Sequence, residues 1–347
     1  MTHGIVPPYL LARIARLDEP RFATAAAAAL KALRHDTAMR AVRVTFSFDR
    51  DGLVAELRDA PNRIIADAGG REILPGEIVR REGDDPVGDA AADEAYDGLG
   101  ATFALFSDVY GRNSIDGLGL PLDATVHYGD LYDNAFWNGE RMVFGDGDGE
   151  IFARFTGSLS VIGHEISHGV TQFTADLEYR DQPGALNESI SDVFGALVEQ
   201  HSRGESVTQA SWLIGEGIFT DQVEGAALRS LKAPGTAYDD DVLGKDPQPA
   251  HFNDYVETRD DNGGVHLNSG IPNRAFYLVA ERLGGYAWER AGQIWYDTIT
   301  GEIEATANFS DFAVATIAAA TARYGPTSQE VAAVRAGWAG VGVHAHA

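Results

Sequence analysis

The chain has 347 residues, a length typical of about two domains, and 44% of them are hydrophobic, enough to bury a sizeable core. Its formal net charge is −25, and it contains no basic patch interleaved with aromatic residues, so we expect no nucleic-acid partner. The absence of cysteine excludes disulfide bonds, and no run of about eighteen apolar residues is present that could span a membrane.

The first sixty residues are predicted to form a separate leader. Pro7 and Pro8 indicate an extended start, and residues 9–34 follow a helical pattern. Apolar and polar residues then alternate over 42–48, which predicts a strand with 53–57 as its hairpin partner. The leader is therefore expected to have secondary structure of its own.

The leader is basic, whereas the rest of the chain is acidic. Residues 1–45 carry seven basic and three acidic side chains, and the remainder carries twenty and forty-nine. We therefore expect the leader to bind the body with a salt-sensitive affinity, the alternative being a solvated basic helix. The N-terminus lacks the basic start and apolar core of a signal peptide, which predicts a cytoplasmic protein or one secreted by a signal-independent route.

The body is predicted to have an α+β fold. Clustered proline and glycine residues indicate a boundary near 58–63, and residues 90–110 follow an amphipathic helical pattern. Short strands and glycine-rich turns continue to about residue 157. The remainder is mainly helical, with final helices at 310–321 and 328–338. This order predicts a mixed β-containing lobe followed by an α-rich lobe.

The most informative motif lies at residues 164–168, which read His-Glu-Ile-Ser-His. On a helix, positions four apart share one face, so His164 and His168 would point towards the same metal ion. Glu165 is displaced by about a hundred degrees, where it could reach a water beside the metal without ligating it. The motif is short, and two structural histidines on a helix are its simplest alternative explanation.

A catalytic zinc site usually has three protein ligands, so a third ligand is the test. Glu188 lies on a second predicted helix, whose apolar stripe begins near Leu186. A turn over 179–184 would make the two helices antiparallel and bring Glu188 to the metal. Asp192 follows four residues later and is placed to accept a ring N–H from a ligating histidine. The alternative is a solvated helix face.

Two other metal motifs are excluded. Thr171 and Thr174 occupy the positions where the metzincin extension has glycine and histidine. The acidic run from Asp146 to Asp148 lacks the glycine of an EF-hand at loop position six, where Ile151 stands, so a tight turn is predicted.

At this point the chain resembles the thermolysin-like zinc metalloproteases. The resemblance covers residues 62–345 and is carried by five separated segments. These segments are Asn-Ala-Phe-Trp-Asn-Gly at 134–139, Gly-Asp-Gly-Asp-Gly at 145–149, the helix at 164–168, residues 184–192, and Asp-Asn-Gly-Gly-Val-His-Leu-Asn-Ser-Gly at 261–270. It implies a two-lobe fold with a β-rich N-terminal lobe, an α-helical C-terminal lobe and the zinc helix between them.

The resemblance implies a role for each matched residue. His164, His168 and Glu188 would bind a single zinc ion, Glu165 would be the general base, and Asn187 and Asp192 would orient the ligating histidines. Tyr179 and His266 would hydrogen-bond the oxyanion, and Asp261 would orient His266.

The resemblance also implies how a peptide binds. Arg229 would bind a substrate carbonyl, and Asn134 with the backbone of Ala135 would hold the peptide extended. Specificity would favour a large apolar residue just after the cut, in a pocket formed by Phe152, Phe155, Val161, Ile214, Ile218 and Leu228. For these six residues the alternative is ordinary core packing.

Calcium is expected to be weak or absent. Ser160, Ser211, Leu213 and Ala226 stand where the family has calcium-binding acids. Glu199 and Glu216 remain, but a calcium ion takes six to eight oxygen ligands, so these two carboxylates are too few.

The leader, with Pro7, Pro8, Tyr9 and Leu10, resembles the short prosegment of the protealysin-like branch. The expected division is a cleavable prosegment at 1–60, an N-terminal catalytic lobe at 61–180 and a C-terminal lobe at 181–347. We therefore expect a monomeric zinc endopeptidase made as a proenzyme, which binds peptide substrates and its own leader but no nucleic acid or membrane. The alternatives are an inactive zinc-binding protein, an acidic structural or calcium-binding module, and a zinc aminopeptidase.

Overall fold

The structure, a computed structural model, describes residues 3–40 and 60–345. They form two compact units: the first ends at Gly157 and the second begins at Ser158. The predicted strands at 42–48 and 53–57, and residues 58–59 of the predicted boundary at 58–63, lie outside the described residues. The predicted three-part division of the chain stays a prediction.

A six-stranded mixed sheet organises the first unit. The strand order is β1-β5-β6-β4-β2-β3, in which β4 runs parallel to both β2 and β6, and the other neighbours are antiparallel. The elements of this unit in chain order are β1 (His3–Gly4), α1 (Pro8–Ile14), α2 (Ala23–Arg40), β2 (Arg63–Asp67), β3 (Glu77–Arg81), α3 (Ala90–Ala104), β4 (Leu122–Val126), β5 (Ala135–Trp137) and β6 (Met142–Phe144).

Local sequence explains where α3 begins and how the acidic loop turns. The Asp89 carboxylate accepts the Ala92 N–H at 2.9 Å and caps α3, which confirms the helix predicted from residue 90. In the acidic run, Asp148 Oδ1 accepts the N–H groups of Glu150 and Ile151 at 2.6 Å each. Gly147 has φ 75°, which fits the predicted tight turn.

The helical stretch predicted for the leader consists of two helices. Pro20 lacks a backbone N–H and holds Glu19 in an extended conformation (φ −81°, ψ 128°). The helical pattern predicted over 9–34 is therefore divided between α1, a short 3₁₀ turn at Pro20–Phe22, and α2.

The start of the leader adds a strand to the sheet edge. His3 pairs with Trp137 and Gly4 with Phe136 in antiparallel register. The Ile5 N–H continues the ladder by donating to the Ala135 carbonyl at 2.9 Å. The leader thus occupies the hydrogen-bonding groups of β5 that would otherwise form an open edge.

The second unit is mainly helical, as predicted. Its elements are α4 (Leu159–Gln172), α5 (Asp181–Arg203), β7 (Leu213–Ile214), β8 (Arg229–Ser230), β9 (Asp239–Asp240), β10 (Gly244–Lys245), α6 (Asp261–Asn268), α7 (Gly270–Leu283), α8 (Ala291–Thr300), α9 (Phe309–Tyr324) and α10 (Gln329–Gly340). The last two confirm the helices predicted at 310–321 and 328–338. None of the helices within the described residues is long and apolar enough to cross a bilayer.

Helices α4 and α5 approach closely because each carries a glycine at their crossing. A Cβ on Gly163 would lie 3.0 Å from the Gly195 Cα, and a Cβ on Gly195 would lie 2.5 Å from the Ser160 carbonyl oxygen. Neither position has room for a larger side chain. This close approach places side chains of α5 beside those of α4.

Helix α5 begins earlier than predicted. The turn expected over 179–184 is shorter, because Pro183 and Gly184 lie in the first turn of the helix. Proline is tolerated there, since the first N–H groups of a helix have no intrahelical partner.

Candidate metal centre

The two histidines of α4 converge as their spacing predicts. The Nε2 atoms of His164 and His168 lie 3.0 Å apart, and the ring centroids are 4.7 Å apart. Both side chains are buried, as is that of Glu165 between them. Two imidazole nitrogens that face each other at this distance are well placed to share a cation.

Glu188 of α5 completes the cluster. Its Oε2 lies 3.6 Å from His164 Nε2, and its Oε1 lies 3.4 Å from His168 Nε2. Ligands about 2.1 Å from a tetrahedral zinc ion lie about 3.4 Å from one another, so the three spacings fit such an ion. Among the described residues, these three form the one group of at least three His, Cys, Asp or Glu side chains that could hold a metal ion.

The protonation states also suit a cation. Burial would raise the pKa of Glu188, but the surrounding histidines outweigh it and lower the pKa to about 2, so the carboxylate is ionised. Burial lowers the pKa of His168 to about 3, which leaves a neutral imidazole. An anionic carboxylate and a neutral imidazole are the forms in which these side chains ligate metals.

The other ring nitrogen of His164 is held by a charged network. His164 Nδ1 lies 2.8 Å from Asp192 Oδ1, which orients Nε2 towards the cluster. The Arg229 guanidinium binds the same carboxylate, with Nε 2.9 Å from Oδ2 and Nη2 2.8 Å from Oδ1. Burial opposes ionisation of Asp192, but Arg229 and His164 outweigh it and keep the pKa of that carboxyl far below its usual range.

His168 is held by neutral groups instead. Its Nδ1 lies 2.8 Å from Asn187 Oδ1 and 3.0 Å from Ser191 Oγ. The structure therefore brings together His168 and Asn187, which was singled out from the resemblance, and adds Ser191, which was not. The signal for Ser191 was its position four residues after Asn187, on the same face of α5.

Tyr179, His266 and Asp261 lie at the same cluster. The Tyr179 hydroxyl donates to Glu188 Oε1 and is 3.4 Å from His266 Nε2. His266 Nδ1 lies 2.7 Å from Asp261 Oδ1, and the His266 backbone N–H donates to Asp261 Oδ2 at 2.9 Å. Burial lowers the pKa of His266, but Asp261 and Glu188 outweigh it and raise the pKa above its ordinary value.

Backbone conformation sets the position of His266. Within α6, Asn262, Gly263 and Gly264 have φ values of 51°, 89° and 76°, in the left-handed region. Glycine adopts this conformation without a steric penalty, which explains the Gly-Gly pair in the sequence. The turn allows the Asp261 side chain to reach both the ring and the backbone of His266.

The predicted specificity residues are divided between the two units. Ile214, Ile218 and Leu228 group together in the second unit: the Leu228 N–H donates to the Ile214 carbonyl at 2.9 Å, and side chains of Ile218 and Leu228 lie beside Gly215. Val161, on α4, is also buried. Phe152 and Phe155 lie in the first unit, with ring centroids 5.6 Å apart.

The predicted peptide-holding residues of the first unit contact the leader. The Val6 N–H donates to Asn134 Oδ1 at 2.9 Å, and the Ala135 carbonyl accepts the Ile5 N–H. Arg229, also predicted to bind a peptide, is fully buried against Asp192. A contact between Arg229 and a substrate stays a prediction.

Comparisons with known proteins agree with this arrangement. The family described as "Thermolysin metallopeptidase, catalytic domain" matches residues 43–172, and "Thermolysin metallopeptidase, alpha-helical domain" matches residues 175–343. An "Extracellular metalloprotease" of Pectobacterium carotovorum subsp. carotovorum is 50% identical over 343 residues, covering 98% of this chain and 96% of that protein. The chain belongs to the thermolysin metallopeptidase family.

A second relative and a solved structure are also similar to this chain. "Thermolysin" of Alicyclobacillus acidocaldarius subsp. acidocaldarius is 40% identical over 288 residues, which is 80% of this chain and 50% of that protein. A solved structure, "Precursor of Protealysin, Metalloproteinase from Serratia proteamaculans", aligns with TM-score 0.88 and 49% identity over 98% of this chain and 99% of its own.

These matches confirm several predictions. The protein is a thermolysin-like zinc metalloendopeptidase with a β-containing N-terminal domain and an α-helical C-terminal domain, and its leader is consistent with a proenzyme. The three alternative functions are therefore set aside. The cytoplasmic location is a wrong expectation, since relatives carry names such as extracellular metalloprotease; the secreted alternative agrees with those names.

Two of the residues considered above for calcium, Ser160 and Glu199, contact protein groups in the structure. Ser160 Oγ accepts the Gly215 N–H at 3.1 Å. The Glu199 carboxylate pairs with Arg203 Nη2 at 2.6 Å, and burial raises its pKa. An arginine thus supplies the positive charge beside Glu199.

Proposed function

We propose that this thermolysin-family endopeptidase binds one zinc ion through His164, His168 and Glu188, and cuts peptides before large apolar residues. The observation that carries the proposal is the convergence of two imidazoles and one ionised carboxylate at spacings that suit a tetrahedral ion. Zinc bound there would polarise the scissile carbonyl and make a water molecule more acidic.

The protein's own groups would move the proton and hold the developing charge. Glu165 lies on the same helix between the two histidines, and we assign it the general base that takes a proton from water and passes it to the leaving nitrogen. His266 Nε2 and the Tyr179 hydroxyl lie 3.4 Å apart, close enough to face one oxyanion. Tyr179 would exchange its bond to Glu188 for one to the substrate.

Specificity is assigned to the buried apolar residues Ile214, Ile218, Leu228 and Val161 of the second unit, and a part for Phe152 and Phe155 of the first unit stays a prediction from the resemblance. These side chains contain no polar atom, so a large apolar side chain after the cut gains by leaving water. Arg229, fixed by Asp192, would contact a substrate carbonyl through its guanidinium.

The leader at 1–60 is assigned the role of an inhibitory prosegment. Backbone groups of Ile5 and Val6 bond to the Ala135 carbonyl and the Asn134 amide, the groups we assign to holding an extended peptide. The motif of Pro7, Pro8, Tyr9 and Leu10 follows directly. A leader so placed would compete with peptide substrates. Its removal would leave a mature chain that consists of an N-terminal lobe at 61–180 and a C-terminal lobe at 181–347.

We further propose that calcium binds weakly or not at all, because Arg203 neutralises Glu199 and Ser160 replaces an acid. The protein is proposed to act as a monomer on peptide and protein substrates. Its net charge of −25 disfavours nucleic acid as a partner.

The deciding experiment uses the purified full chain with stoichiometric zinc. Blocked peptides that differ only in leucine or glycine after the cut are incubated with it, and mass spectrometry follows both peptide and chain. We expect zinc-dependent cleavage before leucine together with loss of the leader. Cleavage that requires a free N-terminus, or activity that zinc chelation leaves unchanged, would refute the proposal.

A further inference from the structure

The Asp192 carboxylate is held by three elements besides its own helix. His164 of α4 bonds to Oδ1, and Arg229 of β8 bonds to both oxygens. The third partner is Asn273 of α7, whose Nδ2 donates to Asp192 Oδ2 at 2.8 Å. All four side chains are fully buried.

We propose that Asn273 is a positioning residue for the metal centre, acting on His164 through Asp192. This inference rests on the proposed zinc site and names a residue to which nothing else assigns a role. Asn273 lies 81 positions from Asp192 in the sequence and belongs to none of the motifs that identify the site.

The two oxygens of Asp192 need different donors. Oδ1 lies near the His164 ring and one arm of Arg229, whereas the donors to Oδ2 among the described residues are Arg229 Nε at 2.9 Å and Asn273 Nδ2 at 2.8 Å. Without the amide, the carboxylate could rotate about its Cβ–Cγ bond while keeping the pairing with Arg229. Rotation would move Oδ1 away from His164 Nδ1 and release the ring that must aim Nε2 at zinc.

The side chain at position 273 must be a neutral hydrogen-bond donor to Asp192. Within the described residues, Asn273 Oδ1 is buried without a hydrogen-bond partner, a costly arrangement that an apolar residue of similar volume would avoid. The position therefore keeps an amide at the expense of stability. A second carboxylate there would repel Asp192, and a longer cation would not fit the enclosed space.

The test measures zinc affinity separately from catalysis. All variants carry Glu165→Gln, so that the full chain stays intact when zinc is present. Zinc dissociation constants are measured by chelator competition, Co²⁺ absorption spectra report ligand geometry, and thermal unfolding without metal reports stability. Asn273→Leu and the smaller Asn273→Ser are compared with Thr316→Val, a buried residue of the same unit whose hydroxyl bonds Trp338 rather than the metal cluster.

We expect Asn273→Leu to weaken zinc binding about tenfold and to change the Co²⁺ spectrum, with Asn273→Ser intermediate. Thr316→Val should lower the unfolding temperature and leave zinc affinity unchanged. In an Asp192→Asn background, Asn273→Leu should cost no further affinity, because its route of action has been removed.

Wild-type zinc affinity and Co²⁺ spectrum in a folded Asn273 variant would overturn the inference, as would an undiminished effect in the Asp192→Asn background. If Asn273→Leu fails to fold, Asn273→Ser decides by the same two readouts. Failure of the parent chain to bind zinc would instead refute the proposed function.

Discussion

The two units of the protein hold their functional side chains in opposite ways. In the second unit, the candidate ligands are buried, and each histidine has a partner on its outer nitrogen. In the first unit, the proposed peptide-holding groups are a strand edge and one amide, and the leader's backbone occupies them. The difference teaches that buried networks fix the chemistry, whereas a backbone edge accepts extended chains and needs other features to discriminate among them.

The largest effect should come from removing a ligand. His168→Ala takes away one of three converging atoms, and we expect loss of stoichiometric zinc together with peptidase activity. Metal content by mass spectrometry and cleavage of a blocked peptide check this. His201→Ala, a histidine that packs on Trp288 instead, serves as the control and should retain zinc. Unchanged zinc in His168→Ala would remove this residue from the ligand set.

Next comes the proposed base. Glu165→Gln keeps the size of the side chain but cannot accept a proton, so activity should fall roughly 10²–10⁴-fold while zinc content stays the same. Initial rates with a blocked peptide, normalised to bound zinc, provide the measurement. A variant that retains a tenth of the parental rate would contradict the assignment.

Asp192→Ala should have a smaller effect on metal than ligand removal. His164 would lose its partner and the buried Arg229 would lose its carboxylate, so we expect zinc affinity about 10–100-fold weaker and reduced stability. Chelator competition measures the first and thermal unfolding the second. Zinc affinity equal to that of the parent would show that the ring of His164 is oriented without Asp192.

How much of the metal centre could be predicted from the sequence depends on how far apart in the sequence the interacting residues lie. The convergence of His164 and His168 follows from four residues of helix, and Glu188 followed from a helical stripe after a short turn. Contacts between distant segments have no such local signal: Asn273 reaches Asp192 from 81 positions away. The pairing of Arg229 with Asp192 was missed for the same reason, because the two residues lie 37 positions apart in the sequence.

The leader shows the same limit on a smaller scale. Its helical pattern was visible, but the break at Pro20 was not recognised, although proline and its preceding residue disfavour a continuous helix. Nothing in the leader's sequence indicated the pairing of Gly4 with Phe136, since strand pairing depends on where the sheet edge lies.

Substitution of Gly4 tests how closely the leader must fit against the edge of β5. A Cβ at this position would lie 2.4 Å from Asn134 Nδ2 and 3.0 Å from Asn134 Cγ, so alanine would push the leader away from β5. Overpacking of this kind should weaken leader binding about tenfold and shorten the lag before the full chain cleaves a blocked peptide. Asp18→Ala, an exposed leader change, is the matched control. An unaltered lag in Gly4→Ala would show that the pairing does not restrain activation.

The smallest expected effect concerns a titratable group of the first unit. His127 bridges two partly exposed carboxylates, with Nδ1 2.8 Å from Asp146 Oδ2 and Nε2 3.1 Å from Asp89 Oδ1. Burial lowers the pKa of His127, but the two aspartates outweigh it and raise the pKa above its ordinary value. Because the folded-state pKa is the higher one, the stabilisation is fully present below about pH 6.5 and is lost as the pH rises through the folded value.

His127→Asn removes this contribution while tolerating the left-handed backbone at φ 52°. The difference in unfolding temperature between parent and variant should therefore be greatest in mild acid and shrink as the solution becomes alkaline. Solvent screens the pair, so the difference should correspond to less than about 1 kcal/mol and diminish further in high salt. A difference in unfolding temperature that grows with pH would contradict a raised folded-state pKa of His127. A difference that does not change with salt would show that solvent does not screen this network.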